Sequence, residues 1–204
     1  VGVNKGFDYS RAGNPTTKRY EENIASLEAC DFAISFSSGM AAIAALFQLL
    51  KKGDHVVIGR NTYGGTYRFT TQILKKHGFE FDFVDTRNIS EIKSSIKPNT
   101  KWVFVETPTN PLLELCDIKE TSELCKKEKV FLAVDNTFMS PYGQSPIALG
   151  ADVVMHSATK YIGGHSDLIS GVLITNKKPI ADSLYFIQKS GGAIPSPFDS
   201  WLLL

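Results

Sequence analysis

Three short stretches of the 204-residue chain carry side chains that could do chemistry together. Lys160 follows two hydroxyls, Ser157 and Thr159, and precedes the loose run Tyr161-Ile162-Gly163-Gly164-His165. A lysine wedged among apolar strands and glycines should have its pKa lowered, because burial disfavours the ammonium form, which makes it a candidate Schiff-base amine; a solvated surface charge is the plainer reading. Asp135 closes the nearly all-apolar run Val130 to Val134, where an unpaired carboxylate is costly, so it needs a cation. A salt bridge or a helix cap would satisfy it, and so would a protonated heterocyclic nitrogen. Ser37-Ser38-Gly39-Met40 joins an apolar run to an alanine-rich one through small residues, and is either a plain turn or a cradle where backbone N–H groups meet an anion. It is neither GxxxxGK nor GxGxxG. Together, an anion cradle, a strand-end acid and a lysine among hydroxyls match the three attachments of pyridoxal 5′-phosphate: phosphate, ring nitrogen and aldehyde.

Those residues need a scaffold that brings distant loops together, and hydrophobic periodicity predicts one. Apolar runs at 32–36, 55–58, 79–84, 102–106, 130–134, 153–156 and 171–175 read as strands. Amphipathic segments at about 16–29, 40–50, 67–76, 90–96, 118–127 and 179–189 read as helices. The alternation implies an α/β fold, a mostly parallel sheet with helices on both faces, in which ligands sit beyond the carboxyl ends of the strands. With 43% hydrophobic and 21% charged residues the chain can build a real core, and its net charge of +1 gives no reason to seek nucleic acid or an anionic membrane. No apolar run is long enough to span a bilayer, and the first ten residues lack the zones of a signal peptide, so a cytoplasmic location is expected. The cysteines Cys30, Cys116 and Cys125 form no close pair and read as reduced packing residues.

The motifs, in order, resemble the Cys/Met-metabolism family of pyridoxal-phosphate enzymes, the trans-sulfuration group. They run from 9–16 (Tyr-Ser-Arg-Ala-Gly-Asn-Pro-Thr) through 37–40, Tyr63-Gly64-Gly65-Thr66, Glu106-Thr107-Pro108-Thr109-Asn110-Pro111, Asp135-Asn136-Thr137-Phe138 and 157–161 to Gly164-His165-Ser166-Asp167. The resemblance implies the large domain of the aspartate-aminotransferase-like fold (fold type I) with a seven-stranded sheet, residues 16–204 forming the cofactor domain and residues 1–15 an arm contacting a neighbouring subunit. It further implies that Lys160 binds the cofactor aldehyde and that Asp135 keeps the ring nitrogen protonated. Gly39, Met40, Ser157 and Thr159 would hold the phosphate, Tyr63 would stack on the ring and assist catalysis, and Asn110 would lie near the ring hydroxyl. Tyr9 and Arg11 would reach a neighbour's phosphate in a homotetramer built from dimers. No metal is implied.

The expected reaction is carbon–sulfur cleavage of L-cystathionine, a small amino-acid substrate, by γ-elimination to cysteine, 2-oxobutanoate and ammonia. β-Cleavage and γ-replacement on an O-acylhomoserine are the neighbouring chemistries, and a cofactor-binding or subunit-scaffolding piece without turnover is the non-enzymatic one. The resemblance also expects more chain after Leu204, a smaller C-terminal domain with an arginine for the substrate carboxylate, so that Trp201 to Leu204 would lack a covering layer. His156 and His165 flank the lysine loop and are read as structural.

Overall fold

The computed structural model describes residues 6–204; residues 1–5 of the expected arm lie outside the described residues. One seven-stranded sheet organises the rest. Its strands are β1 (Phe32–Phe36), β2 (His55–Gly59), β3 (Glu80–Val84), β4 (Thr100–Glu106), β5 (Phe131–Asp135), β6 (Val153–His156) and β7 (Gly171–Thr175). They lie in the order β1-β7-β6-β5-β4-β2-β3. β7 is antiparallel to both neighbours and the other pairings are parallel, so every strand but β7 points the same way.

Helices connect the strands: α1 (Pro15–Leu27), α2 (Gly39–Phe47), α3 (Gly64–Arg68), α4 (Ile89–Ser95), α5 (Ile118–Glu128), α6 (Ser140–Gly143), α7 (Lys178–Gly191) and α8 (Pro197–Leu202); α6 and α8 fall where the periodicity predicts no helix. Asn14 caps α1 by accepting from Thr16 N at 2.9 Å, and Pro15 occupies its first turn. Gly192, in the left-handed region at φ 77°, stops α7. The third helical segment departs from expectation. It begins at Gly64, not Tyr67, and runs on as a π turn (Phe69–Ile73) and a 3₁₀ turn (Leu74–His77) before Gly78 ends it. Glycines are poor helix formers, but here packing overrides propensity: a Cβ on Gly65 would strike the Tyr63 ring and come within 2.8 Å of Met40 Sδ.

Strand alternation divides the core between the two faces of the sheet. Val56, Ile58, Trp102, Phe104, Ala133 and Met155 pack against α2 and α7, while Val57, Val103, Val105, Leu132 and Val134 pack against residues of α4 and α5. α1 and α8 cover the β1–β7–β6 end through Tyr20, Ile24 and Leu203. The bare apolar tail is therefore only half true: Trp201 and Leu204 are 61% and 55% exposed, but α8 turns Leu203 inward against α1. Cys116 and Cys125 are buried and Cys30 half-buried, all three free thiols; burial pushes Cys116 up to about 11 and Cys125 up to about 12, as befits packing residues.

Phe47 lies at the centre of the α2 face, its ring edge-on to Phe104 at 5.8 Å and to Phe81 at 6.0 Å between centroids. Phe47→Ala should cost about 3–5 kcal/mol, read as a lowered urea midpoint at unchanged slope. A loss below about 1 kcal/mol would mean that α2 is not seated on the sheet as described.

Candidate active site

The parallel strands deliver their carboxyl ends to one edge of the sheet, and β7 enters at the same edge because Gly171 pairs with Phe36. A cavity of about 660 Å³ opens there on the α2 face. Lys160, Asp135, Ser157, Thr159, Gly39, Met40, Tyr63 and Asn110 all line it. Residues spread over more than half of the sequence are thus gathered by topology alone.

Ser38 begins α2, its side chain accepting from Ala41 N at 3.0 Å. Gly39 and Met40 supply first-turn N–H groups that no residue of the helix can accept, and they have no other acceptor among the described residues. The approach is backbone to backbone. A Cβ on Gly39 would come 2.8 Å from Ser157 Cβ, and one on Gly171 would strike the Ser38 carbonyl. Glycine is needed at both positions to let the α2 start, the Ser157 loop and β7 meet. This leaves two outward N–H groups beside the Ser157 hydroxyl, an arrangement suited to an anion. Thr159 is already engaged: its hydroxyl donates to Ser170 O at 3.1 Å and accepts from Ser170 N at 3.0 Å, tying two loops together.

Asp135 is the last residue of β5, one residue further into the strand than the periodicity suggested. Its Oδ1 accepts from Thr137 N at 3.0 Å and from Thr137 Oγ1 at 2.5 Å, while Oδ2 accepts nothing from the described residues. Burial raises its pKa, the Thr137 bonds and nearby His156 opposing only in part. An acid held on one oxygen and lacking a direct cationic partner suits a ligand that brings a cation. Thr137 also accepts from Ser157 N at 2.8 Å, so the Asp135 carboxylate is linked by hydrogen bonds to the anion-ready loop.

Behind the sheet end, buried Glu28 accepts from His156 Nε2 at 2.6 Å and from Asn136 Nδ2 at 3.0 Å through a single oxygen. His156 is thereby part of the frame. His165 bonds its own loop, Nδ1 lying 2.9 Å from Gly163 O.

Lys160 corrects an expectation. It sits in the turn after β6, its backbone N–H on Ser157 O, and its side chain is exposed to the cavity mouth where burial had been expected. Of the two glycines after it, Gly163 is buried beside Leu168 and Gly164 is exposed, so the loop packs on one side only and leaves the lysine side chain out. Its Nζ has no ion-pair partner among the described residues, which leaves the amine available. Tyr63, 53% exposed, and Asn110 stand on the loops after β2 and β4.

Glu106 belongs to the 106–111 motif, where sequence alone assigns it no role. It lines the cavity, is buried, and accepts from Tyr63 N at 2.7 Å and from Asn110 N at 3.1 Å. In register it lies directly opposite Asp135, so burial first and the Asp135 charge second push its carboxyl up to about 7. The register of β4 against β5 was the missing signal. Glu114 reinforces the same loops by accepting from Asn61 Nδ2 at 2.5 Å while pairing with Arg87 at 3.2 Å.

Tyr9 and Arg11 do not line this cavity. Arg11 donates to Lys189 O at 2.5 Å and lies 5.1 Å from the Tyr9 ring centroid, on the α7 side of the molecule. Among the described residues no cluster of three or more His, Cys, Asp or Glu is arranged to hold a metal, and no helix is long and apolar enough to cross a membrane.

Comparison with known proteins bears on the family and the fold. The family model described as Cys/Met metabolism PLP-dependent enzyme matches residues 1–204. The chain is 49% identical over 203 residues to cystathionine beta-lyase MetC of Staphylococcus haemolyticus, covering 100% of this chain and 52% of that one. It is 46% identical over 204 residues to a probable cystathionine gamma-synthase of Herpetosiphon aurantiacus, covering 100% and 64%. Among solved structures, cystathionine gamma-lyase of Lactobacillus plantarum, complexed with L-serine, superposes with a TM-score of 0.97 at 43% identity, covering 100% of this chain and 53% of that one. The chain thus spans about half the length of most curated relatives it matches.

Proposed function

The chain belongs to the Cys/Met metabolism PLP-dependent enzyme family, and from that premise we propose that it is the cofactor-binding part of a carbon–sulfur lyase that cleaves L-cystathionine to cysteine, 2-oxobutanoate and ammonia. One observation carries the reading: an amine, a buried acid oxygen and two helix N–H groups, all without a partner among the described residues, line the same cavity. These are the complements of an aldehyde, a protonated ring nitrogen and a phosphate, so the residues present fit pyridoxal phosphate.

In this reading Lys160 would attach the cofactor and Asp135 would pair with its ring nitrogen. The N–H groups of Gly39 and Met40, with Ser157 and Thr159, would take its phosphate. Thr159 would do so by an additional bond, since its hydroxyl also holds Ser170. Tyr63 would cover the ring and Asn110 would meet the ring hydroxyl. Bound there, the cofactor supplies an electron sink that stabilises negative charge at the substrate α-carbon. Lys160 is the base that fits the proton at that carbon, because its amine lines the same cavity and has no ion-pair partner among the described residues. The same amine would carry the proton to the neighbouring carbon, and the Tyr63 phenol would handle the substrate amine. Residues 1–15 would form an arm and residues 16–204 the cofactor domain; Tyr9 and Arg11, which lie away from the cavity of their own chain, would serve a neighbour's phosphate in a homotetramer built from dimers.

Relatives named for γ-lyase, β-lyase and γ-synthase chemistry match at similar identity, so the reaction type must be read from products. With L-cystathionine and added cofactor, the proposal expects 2-oxobutanoate. Pyruvate with homocysteine would replace it with β-elimination. Neither product, together with consumption of an O-acylhomoserine and cysteine, would replace it with γ-replacement. Stoichiometric cofactor binding without any turnover would favour a binding or scaffolding role.

A further inference from the structure

We propose that Glu106 is a positioning residue: ionised, it clamps the Tyr63 and Asn110 amides at once and so fixes the two loops flanking the cofactor, and protonated, it releases one of them. The inference rests on the cofactor reading above and extends it to a residue with no part in the attachments themselves. The geometry is specific. Glu106 Oε2 takes Tyr63 N and Oε1 takes Asn110 N, so each oxygen serves a different loop. Both bonds are charge-assisted only when both oxygens are acceptors. A proton on either oxygen turns that oxygen from acceptor to donor, facing a backbone N–H that is also a donor.

The charge that Glu106 faces comes from Asp135 on the adjacent strand. Tyr63 from the loop after β2, and Lys160 and Tyr161 from the loop after β6, share the cavity; Glu114, further along the Glu106 loop, is occupied by Arg87 and Asn61. A cation at Asp135 would offset the like charge and favour ionised Glu106. Cofactor binding and clamp closure would then reinforce each other, a reciprocity that linkage requires. The direction with pH follows: the clamp is closed above the Glu106 transition, at about 7 in the cofactor-free protein, and opens as pH falls through it.

The test compares wild type with Glu106→Gln, whose amide has the shape of the protonated acid and only one acceptor. Cofactor dissociation constants are measured by equilibrium dialysis from about pH 5.5 to about pH 8.5, a span that brackets the transition. The two proteins should converge at the acid end, and wild type should bind about tenfold more tightly at the alkaline end. A ratio constant across that range overturns the proposal. Failure of wild type to bind cofactor at any pH overturns both it and the functional reading. Amide hydrogen exchange on the cofactor-free wild-type chain decides the matter if the variant does not fold. Protection should fall by about tenfold at one of the two amides, Tyr63 or Asn110, as pH drops through the transition while Val105 stays protected. Loss at neither amide overturns the clamp.

Discussion

Lys160→Ala should lower the proposed cystathionine cleavage by about 10²–10⁴-fold, the range expected when a group that carries protons in the transition state is removed. The same change leaves stability within about 0.5 kcal/mol, because the side chain is exposed at the cavity mouth and its Nζ has no ion-pair partner among the described residues. That separation makes the variant informative. Asp135 and the N–H groups of Gly39 and Met40 are untouched, so the chain should still bind pyridoxal phosphate, now reversibly and removable by dialysis. Steady-state turnover, a denaturant titration and a dialysis assay check the three parts. Turnover within tenfold of wild type would assign the proton to another group.

Asp135→Asn is the second change of large effect, and it acts on stability and on binding in opposite directions. Asparagine keeps an oxygen for the two Thr137 donors, but it removes a buried charge that faces Glu106 in register and has no direct cationic partner among the described residues. The cofactor-free protein should gain about 1–3 kcal/mol near neutral pH. Cofactor affinity should fall by about 10²-fold or more, since the ring cation loses its partner. The pH dependence has a definite sign. Asp135 and Glu106 are both raised in the folded chain, by burial foremost. Their contribution to stability is therefore fully present below the unfolded carboxylate range, near 4, and is lost as pH rises through the folded values, about 7 for Glu106. Cofactor-free wild type should weaken across that window and the variant less, by the Asp135 share, since the burial of Glu106 remains. Urea unfolding at both ends of it, with and without cofactor, measures the difference. A variant less stable than wild type without cofactor would show that the acid has a cationic partner of its own.

Much of this arrangement is legible in the sequence because short-range patterns decide it. The strands Phe32–Phe36, Val153–His156 and Gly171–Thr175 fall where apolar runs place them, and Asn14-Pro15 marks the start of α1 by a local capping preference. Asp135 and Lys160 stand out because a charged residue beside apolar strands demands an explanation. What sequence spacing conceals is register and space. Glu106 looks like one more strand-end acid until β4 and β5 are aligned and its oxygens are found on two loops. Thr137 likewise acquires its role only when the turn after β5 meets the Ser157 loop. Lys160 was expected to be buried because its neighbours are apolar, yet the cavity removes the packing layer on its side. The α3 start at Gly64 defeats propensity because the Tyr63 ring and Met40 leave no space for a Cβ on Gly65.

The central claim is that one amine, on the loop after β6, captures the cofactor. Reducing the cofactor-loaded wild-type chain with borohydride, digesting it and mapping the label by mass spectrometry tests this directly. The account predicts a single pyridoxyl label, on Lys160. A label on any other lysine, or tightly bound cofactor with no label at all, would contradict it.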